Sequence, residues 1–152
     1  MTMIYAREEL MDVWKEAESL LKEHYNELTL NKEVMKLSPD WVSYFLIEAK
    51  KGLIIITARE DGKLVGYAAF FIGQHMHYKD SKTAQNDVLY MHKDYRRGFM
   101  GVRLIKESEK HLKHEGVVKV FWHIKDSNNF YPIMDRLGYS KEETIVSKIL
   151  EE

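Results

Sequence analysis

The run Arg96-Arg97-Gly98-Phe99-Met100-Gly101 sets two guanidinium groups and two glycines directly ahead of a helical pattern. The first N–H groups of a helix have no acceptor one turn back, and the helix dipole makes that end favourable for an anion. Glycine carries no Cβ, so backbone there can approach a ligand closely. The run reads as a cradle for a phosphate-bearing ligand; the plainer reading is a basic surface turn that caps a helix. A second candidate is Asp87, alone in an otherwise apolar strand pattern. Burial there would raise its pKa and make it a better general base, whereas solvent at the strand entry would leave it ordinary. His75 and His77 share one strand face by the period of two and could relay a proton near neutral pH; half-exposed strand residues are the alternative. The pairs His75/His77 and His111/His114 have ligand spacing but no third ligand at motif spacing, so no metal site is expected. Neither a Walker loop nor a full dinucleotide fingerprint is present.

These residues need elements to hold them. A short strand over 3–6 precedes a helix from Glu8, whose apolar stripe runs Leu10, Val13, Trp14, Ala17, Leu20, Leu21, Tyr25 and Leu28. Ser38 as N-cap and Pro39 at the first helical position open a second helix, which stops at Gly52. Strands over 53–57 and 64–72 flank the turn signal Asp61-Gly62, and the second of them can continue through His77. A third strand over 84–92 completes an antiparallel meander that feeds the glycine loop. The next helix buries Gly101, Leu104, Ile105, Ser108 and Leu112 and shows solvent a lysine-rich face. A strand over 117–124 follows, parallel to the one before the helix because a helix joins them. The sequence 126–129 caps a last helix to Leu137, and a final strand spans 143–150.

Composition bounds the rest. A chain of 152 residues, 45% hydrophobic and 31% charged, fits one domain with its own core. A net charge of -1 argues against direct nucleic-acid binding through overall charge. Absence of cysteine excludes disulfides and thiol nucleophiles. With no apolar run of about 20 residues and no basic-then-apolar N-terminus, neither membrane insertion nor secretion is expected, and the cytoplasm is the default setting.

The order β, α, α, β, β, β, α, β, α, β resembles that of the GCN5-related N-acetyltransferases (GNAT). Their pyrophosphate loop reads Gln/Arg-x-x-Gly-x-Gly/Ala; Arg96 takes its first position and Gly101 its last, while Phe99 stands where the middle glycine is expected. The ending Leu137-Gly138-Tyr139 is also similar to the family's Leu-Gly-Phe/Tyr. The segments around His75-x-His77-Tyr78 and Asp87-x-Leu89-Tyr90 resemble, more narrowly, acetyltransferases carried by bacteriophages, whose setting would be the host cytoplasm.

The resemblance implies an α+β fold in one domain over 1–152: a mixed, mostly antiparallel sheet flanked by helices, with a splayed parallel strand pair. It implies acetyl-CoA as acyl donor, its arm in the gap between the strands, paired with backbone of Leu89, Tyr90 and Met91, with Asn128 as a further contact. Asp87 would then face the gap as base. The tyrosine that often serves as general acid falls on Met134, and Tyr131 one turn earlier is its substitute, or only a packing aromatic. Phe99 either narrows the phosphate cradle or points outward with its N–H still available. The acceptor, a small-molecule or peptide amine, would enter between residues 21–39 and the strand end at 75–78, where Glu23, Glu27 and Glu33 could favour a cation. A homodimer is compatible with this reading. The rival is a degenerate member that keeps the fold for binding or regulation, which Phe99 and Met134 favour.

Overall fold

Leu53–Glu60 opens with four apolar residues in succession and buries its first six, the pattern of a strand covered on both faces. It does so as β2, second in a five-stranded sheet of order β1-β2-β3-β4-β5. The others are β1 (Met3–Glu8), β3 (Lys63–Gly73), β4 (Thr83–Met91) and β5 (Lys119–Phe121). The structure is a computed structural model and describes residues 2–150. β1 to β4 pair antiparallel in sequence order, and β5 lies parallel to β4. The meander and the parallel crossover thus follow the expected pattern, giving the α+β fold read from the sequence.

Helices α1 (Leu10–Leu28) and α2 (Trp41–Ala49) cover one face of the sheet through Leu10, Val13, Trp14, Trp41 and Phe45. On the other face, α3 (Met100–His114) sets Leu104 and Leu112 against Ile54, Ile56, Val65 and Phe70. Full burial of such side chains supplies about 1.5–3 kcal/mol each, so this layer fixes where α3 begins. A short α4 (Tyr131–Arg136) follows β5. Among the described residues no helix is long and apolar enough to cross a membrane.

Several elements depart from expectation. Glu8 belongs to β1, where its carboxylate receives Arg59 Nε at 2.8 Å, and α1 starts at Leu10. Asp40, not Ser38, caps α2: its carboxylate accepts the Ser43 N–H at 3.0 Å, so Pro39 stands outside the helix. β3 stops at Gly73, leaving His75 and His77 in a turn rather than on one strand face. In that turn the His77 N–H donates to His75 Nδ1 at 3.0 Å. Gly101 is exposed rather than buried, although Met100 beside it packs against the core. Asp126–Asn128 form a 3-10 turn, and α4 begins only at Tyr131, whose N–H donates to Asn129 Oδ1 at 2.9 Å. β5 pairs over three residues, not eight. The final strand over 143–150 does not form, since residues 140–150 carry neither strand nor helix.

Candidate active site

β4 is two strands in one. Thr83, Ala84 and Gln85 pair with Lys119, Val120 and Phe121 of β5, and the ladder ends there. One further link, from the His123 N–H to Asn86 Oδ1 at 2.6 Å, closes the apex of the opening. Beyond it β4 continues to Met91 with only β3 beside it. The His92 N–H donates to the Val65 carbonyl at 2.8 Å, so His92 and, two residues back, Tyr90 turn their backbone toward β3. By the same alternation Leu89 and Met91 present theirs to the opening. The Met91 carbonyl indeed accepts Arg96 Nε at 2.6 Å on that side. Of the three expected backbone partners for a ligand, two face the gap; Tyr90 instead contributes its side chain.

The register between β3 and β4 shifts where this half begins: Ala69 faces Val88, but Phe70 faces Asn86. Asp87 is the extra residue of a β-bulge, a feature that re-aims a side chain. It is aimed at the α1/α2 face, where the Tyr44 hydroxyl of α2 donates to its carboxylate at 2.5 Å. Burial raises the Asp87 pKa, and the Tyr44 hydrogen bond offsets part of that rise. Burial and the same carboxylate push the Tyr44 hydroxyl up in turn, keeping it a donor.

Next along the face lies a chain of aromatic and charged groups that α1 brings to β3 and β4. The Tyr67 hydroxyl meets His24 Nδ1 at 3.2 Å, and the His24 ring stacks on Tyr90 with centroids 4.7 Å apart. Burial, helped by Lys125, lowers the His24 pKa to about 4. The Tyr90 hydroxyl donates to Glu27 at 2.9 Å, and Glu27 receives both terminal nitrogens of Arg96, whose guanidinium lies over the Tyr90 ring at 5.1 Å. Across the opening, Lys125 Nζ reaches the Leu28 carbonyl at the end of α1, at 3.2 Å.

The loop at the mouth is a single 3-10 turn, Lys93–Tyr95, followed by Arg96 to Phe99. Gly98 has φ +60°, a conformation glycine adopts without penalty. The first intrahelical bond of α3 runs from the Arg103 N–H to the Phe99 carbonyl at 2.8 Å, so the preceding N–H groups open toward the loop. A Cβ built on Gly98 or Gly101 meets nothing within 4 Å, so the cradle is open. Phe99 is 75% exposed, its side chain outside the core. Arg96 lies beside this loop with its side chain held by Glu27 and the Met91 carbonyl.

The predicted residues therefore fall into two groups. Asp87, Leu89, Tyr90, Met91 and the loop residues Arg96, Arg97, Gly98, Phe99, Met100 and Gly101 lie along one continuous edge. His75 and His77 sit in the exposed turn beyond β3, and Asn128 in the 3-10 turn after β5. Tyr131 has its hydroxyl 3.5 Å from Asp135 and Lys141 Nζ 4.6 Å from its ring centre, while Met134 is fully buried in the core. Sequence reasoning passed over Tyr44, Tyr67 and His24. His24 was legible: it stands three and four residues from Leu21, Leu20 and Leu28 on the apolar stripe of α1, a position where a histidine must find a partner.

The acetyltransferase (GNAT) family model matches residues 9–132. Similar solved structures include an aminoglycoside acetyltransferase from an uncultured soil metagenomic sample, 16% identical over 100% of both chains with a TM-score of 0.76. Glucosamine-6-phosphate N-acetyltransferase from Arabidopsis thaliana is 17% identical over 99% of this chain and 100% of its own, with a TM-score of 0.74. A predicted acetyltransferase with acetyl-CoA from Clostridium acetobutylicum is 13% identical over 97% of this chain and 96% of its own, at 0.70. At these identities the likeness is one of fold. No curated protein sequence matches the chain.

Proposed function

Because the chain belongs to the GNAT family of acetyltransferases, we propose that it moves an acetyl group from acetyl-CoA to an amine by direct transfer. The observation that carries this reading is the released half of β4, with an open helix N-terminus at one end and a buried carboxylate at the other. The N–H groups opening α3 hold a pyrophosphate there, as anions are held at helix N-termini. Bound acetyl-CoA supplies a thioester whose thiol is a good leaving group, with a pKa of about 8.5 by analogy with cysteine. The N–H groups of Leu89 and Met91 align that arm and stabilise negative charge on its carbonyl oxygen. Asp87, held by Tyr44, takes the proton from the acceptor ammonium and frees the amine. The amine nitrogen bonds to the thioester carbon as the C–S bond breaks, and the leaving thiolate takes the second proton of that nitrogen, directly or through water, since Met134 has none to give. Acceptors enter from the α1–α2 side, where Tyr44, Tyr67 and the 29–40 loop stand. The acceptors for which two similar structures are named, an aminoglycoside and glucosamine 6-phosphate, support a small-molecule amine. A cytoplasmic setting fits this chemistry.

Calorimetric titration of acetyl-CoA into the protein tests the donor half. Saturable binding that an Arg96→Ala, Gly101→Trp variant loses is expected, and turnover with a panel of amines then follows. Binding without turnover on any amine favours the non-catalytic alternative; no binding at millimolar ligand overturns the donor site itself.

A further inference from the structure

The carboxylates that border the acceptor entrance are mostly engaged within the protein. Glu23 meets His92 Nε2 at 2.9 Å, and Glu27 holds the Arg96 guanidinium. Asp40 accepts both the N–H and the hydroxyl of Ser43. Glu33 shares the 29–40 loop with Lys32 and Lys36, so that loop, Asp40 included, adds no net negative charge. Lys125 stands across the opening, its Nζ on the Leu28 carbonyl. An acceptor with several ammonium groups would strip water from charges that find no partner here. Asp87 is different. Its carboxylate is held by the neutral Tyr44 hydroxyl and has no charged partner among the described residues. One such carboxylate calls for one ammonium.

The apolar groups complete the picture. The 29–40 loop leaves α1 at Leu28, beside Lys125, and ends at Asp40, one turn before Tyr44. It therefore passes from one side of the entrance to the other. The Tyr25 hydroxyl reaches the carbonyls of Lys32 and Met35, at 3.2 and 2.7 Å, and holds the loop to α1. Even so, Leu30, Val34 and Met35 are 59%, 53% and 58% exposed. Below the loop, the Tyr44 ring stacks on Phe71 with centroids 6.0 Å apart and lies 5.8 Å from Trp41. An aromatic wall thus leads to the carboxylate, with an apolar loop beside it.

We propose that the acceptor is a primary amine with a single positive charge and an aromatic or aliphatic substituent, the class of 2-phenylethylamine. This rests on the acyl-transfer reading above and narrows its acceptor. The ammonium pairs with Asp87 before giving up its proton there. The substituent lies along the aromatic wall and the loop, where leaving water is favourable and no second charge has to be met.

Steady-state assays with saturating acetyl-CoA test this on four amines: 2-phenylethylamine, ethanolamine, glucosamine 6-phosphate and the aminoglycoside kanamycin. The expected kcat/KM for 2-phenylethylamine exceeds that of each other amine by about 10²-fold or more, the scale on which an apolar pocket separates substrates. Turnover of any of the other three that equals or exceeds it overturns the acceptor class and leaves acyl transfer to an amine standing. No turnover of any of the four overturns both. A Leu30→Asp, Leu37→Asp variant supplies a second readout, the ratio of kcat/KM for 2-phenylethylamine to that for ethanolamine, which does not depend on the fraction of active protein. That ratio should fall about tenfold. An unchanged ratio would mean that the substituent does not meet the loop, and would overturn the placement.

Discussion

The released half of β4 and the outer edge of β5 are built differently. The released half of β4 is bordered by groups that answer one another: Asp87 with Tyr44, Tyr67 with His24, Tyr90 with Glu27, Arg96 with Met91. The outer edge of β5 is flanked by residues 139–142 through the Tyr139–Trp122 ring contact and the Lys119–Glu142 ion pair, beside exposed Val118. An edge that must hold a small polar ligand needs its surroundings fixed in advance, since ordering them on binding weakens affinity. The difference separates an edge whose neighbouring groups are fixed to one another from one flanked only by the chain that follows it.

The sharpest way to break this comparison is Asp87→Asn. If the β4 edge is catalytic, turnover should fall about 10²- to 10⁴-fold, the usual range for a lost general base, while acetyl-CoA affinity stays as it was. In the native protein the acid limb of kcat/KM should report a pKa above the ordinary carboxylate range, and the variant should lack that limb. Stability should move the other way. A carboxyl whose pKa is raised by folding binds its proton more tightly in the native state, so stability falls as pH rises from the unfolded value through the folded one. The neutral amide escapes that loss, so thermal unfolding at pH 7 should shift upward. A variant equally active across pH would remove Asp87 from the chemistry.

His24 tests whether the β4 edge is rigidly built. Its pKa is lowered from 6.5 to about 4, chiefly by burial. The unfolded chain therefore takes up the proton first, and stability falls as pH drops from about 6.5 toward 4, by up to about 3 kcal/mol at 1.36 kcal/mol per pH unit. Urea unfolding across that window should show the slope, and His24→Gln should flatten it. An unchanged slope would mean that His24 is solvated and that the stacked chain of rings is loose.

How much of this was legible follows from what each signal depends on. β2, β3, β4 and α3 carry apolar periods that only one secondary structure can bury, so sequence located them closely. The bulge at Asp87 was not legible, because it depends on which β3 residue lies opposite, and no local pattern encodes that. The Arg96 ion pair was not legible for a similar reason: its partner Glu27 lies 69 residues away on α1. Residues 143–150 have the right propensity for a strand but no edge within reach, and propensity yields to the absence of a partner.

The loop that ends the β4 edge gives a smaller effect. At φ +60° a β-branched residue is strained by about 1–2 kcal/mol, and at Gly98 no neighbouring atom adds a clash. Gly98→Val should therefore weaken acetyl-CoA binding about tenfold if the observed loop shape is the binding one. Gly98→Asn, which tolerates that conformation, should stay close to wild type. Equal losses in both would point to the space around Gly98 rather than its backbone angle.

The smallest effect expected is at Phe99, the one position where the loop departs from the family motif. A bulky side chain matters to a phosphate cradle in two ways: it fills the cradle, or it holds the backbone in a shape glycine would not need. Neither applies here. The side chain is 75% exposed, and the residue has φ −104° and ψ 19°, open to any amino acid. Its contribution as a ligand is an N–H group that every residue but proline supplies. Phe99→Gly should change acetyl-CoA affinity by less than about threefold, under 0.7 kcal/mol. A tenfold gain on that substitution would mean that the ring does enter the cradle, and that the β4 edge is partly closed by its own loop.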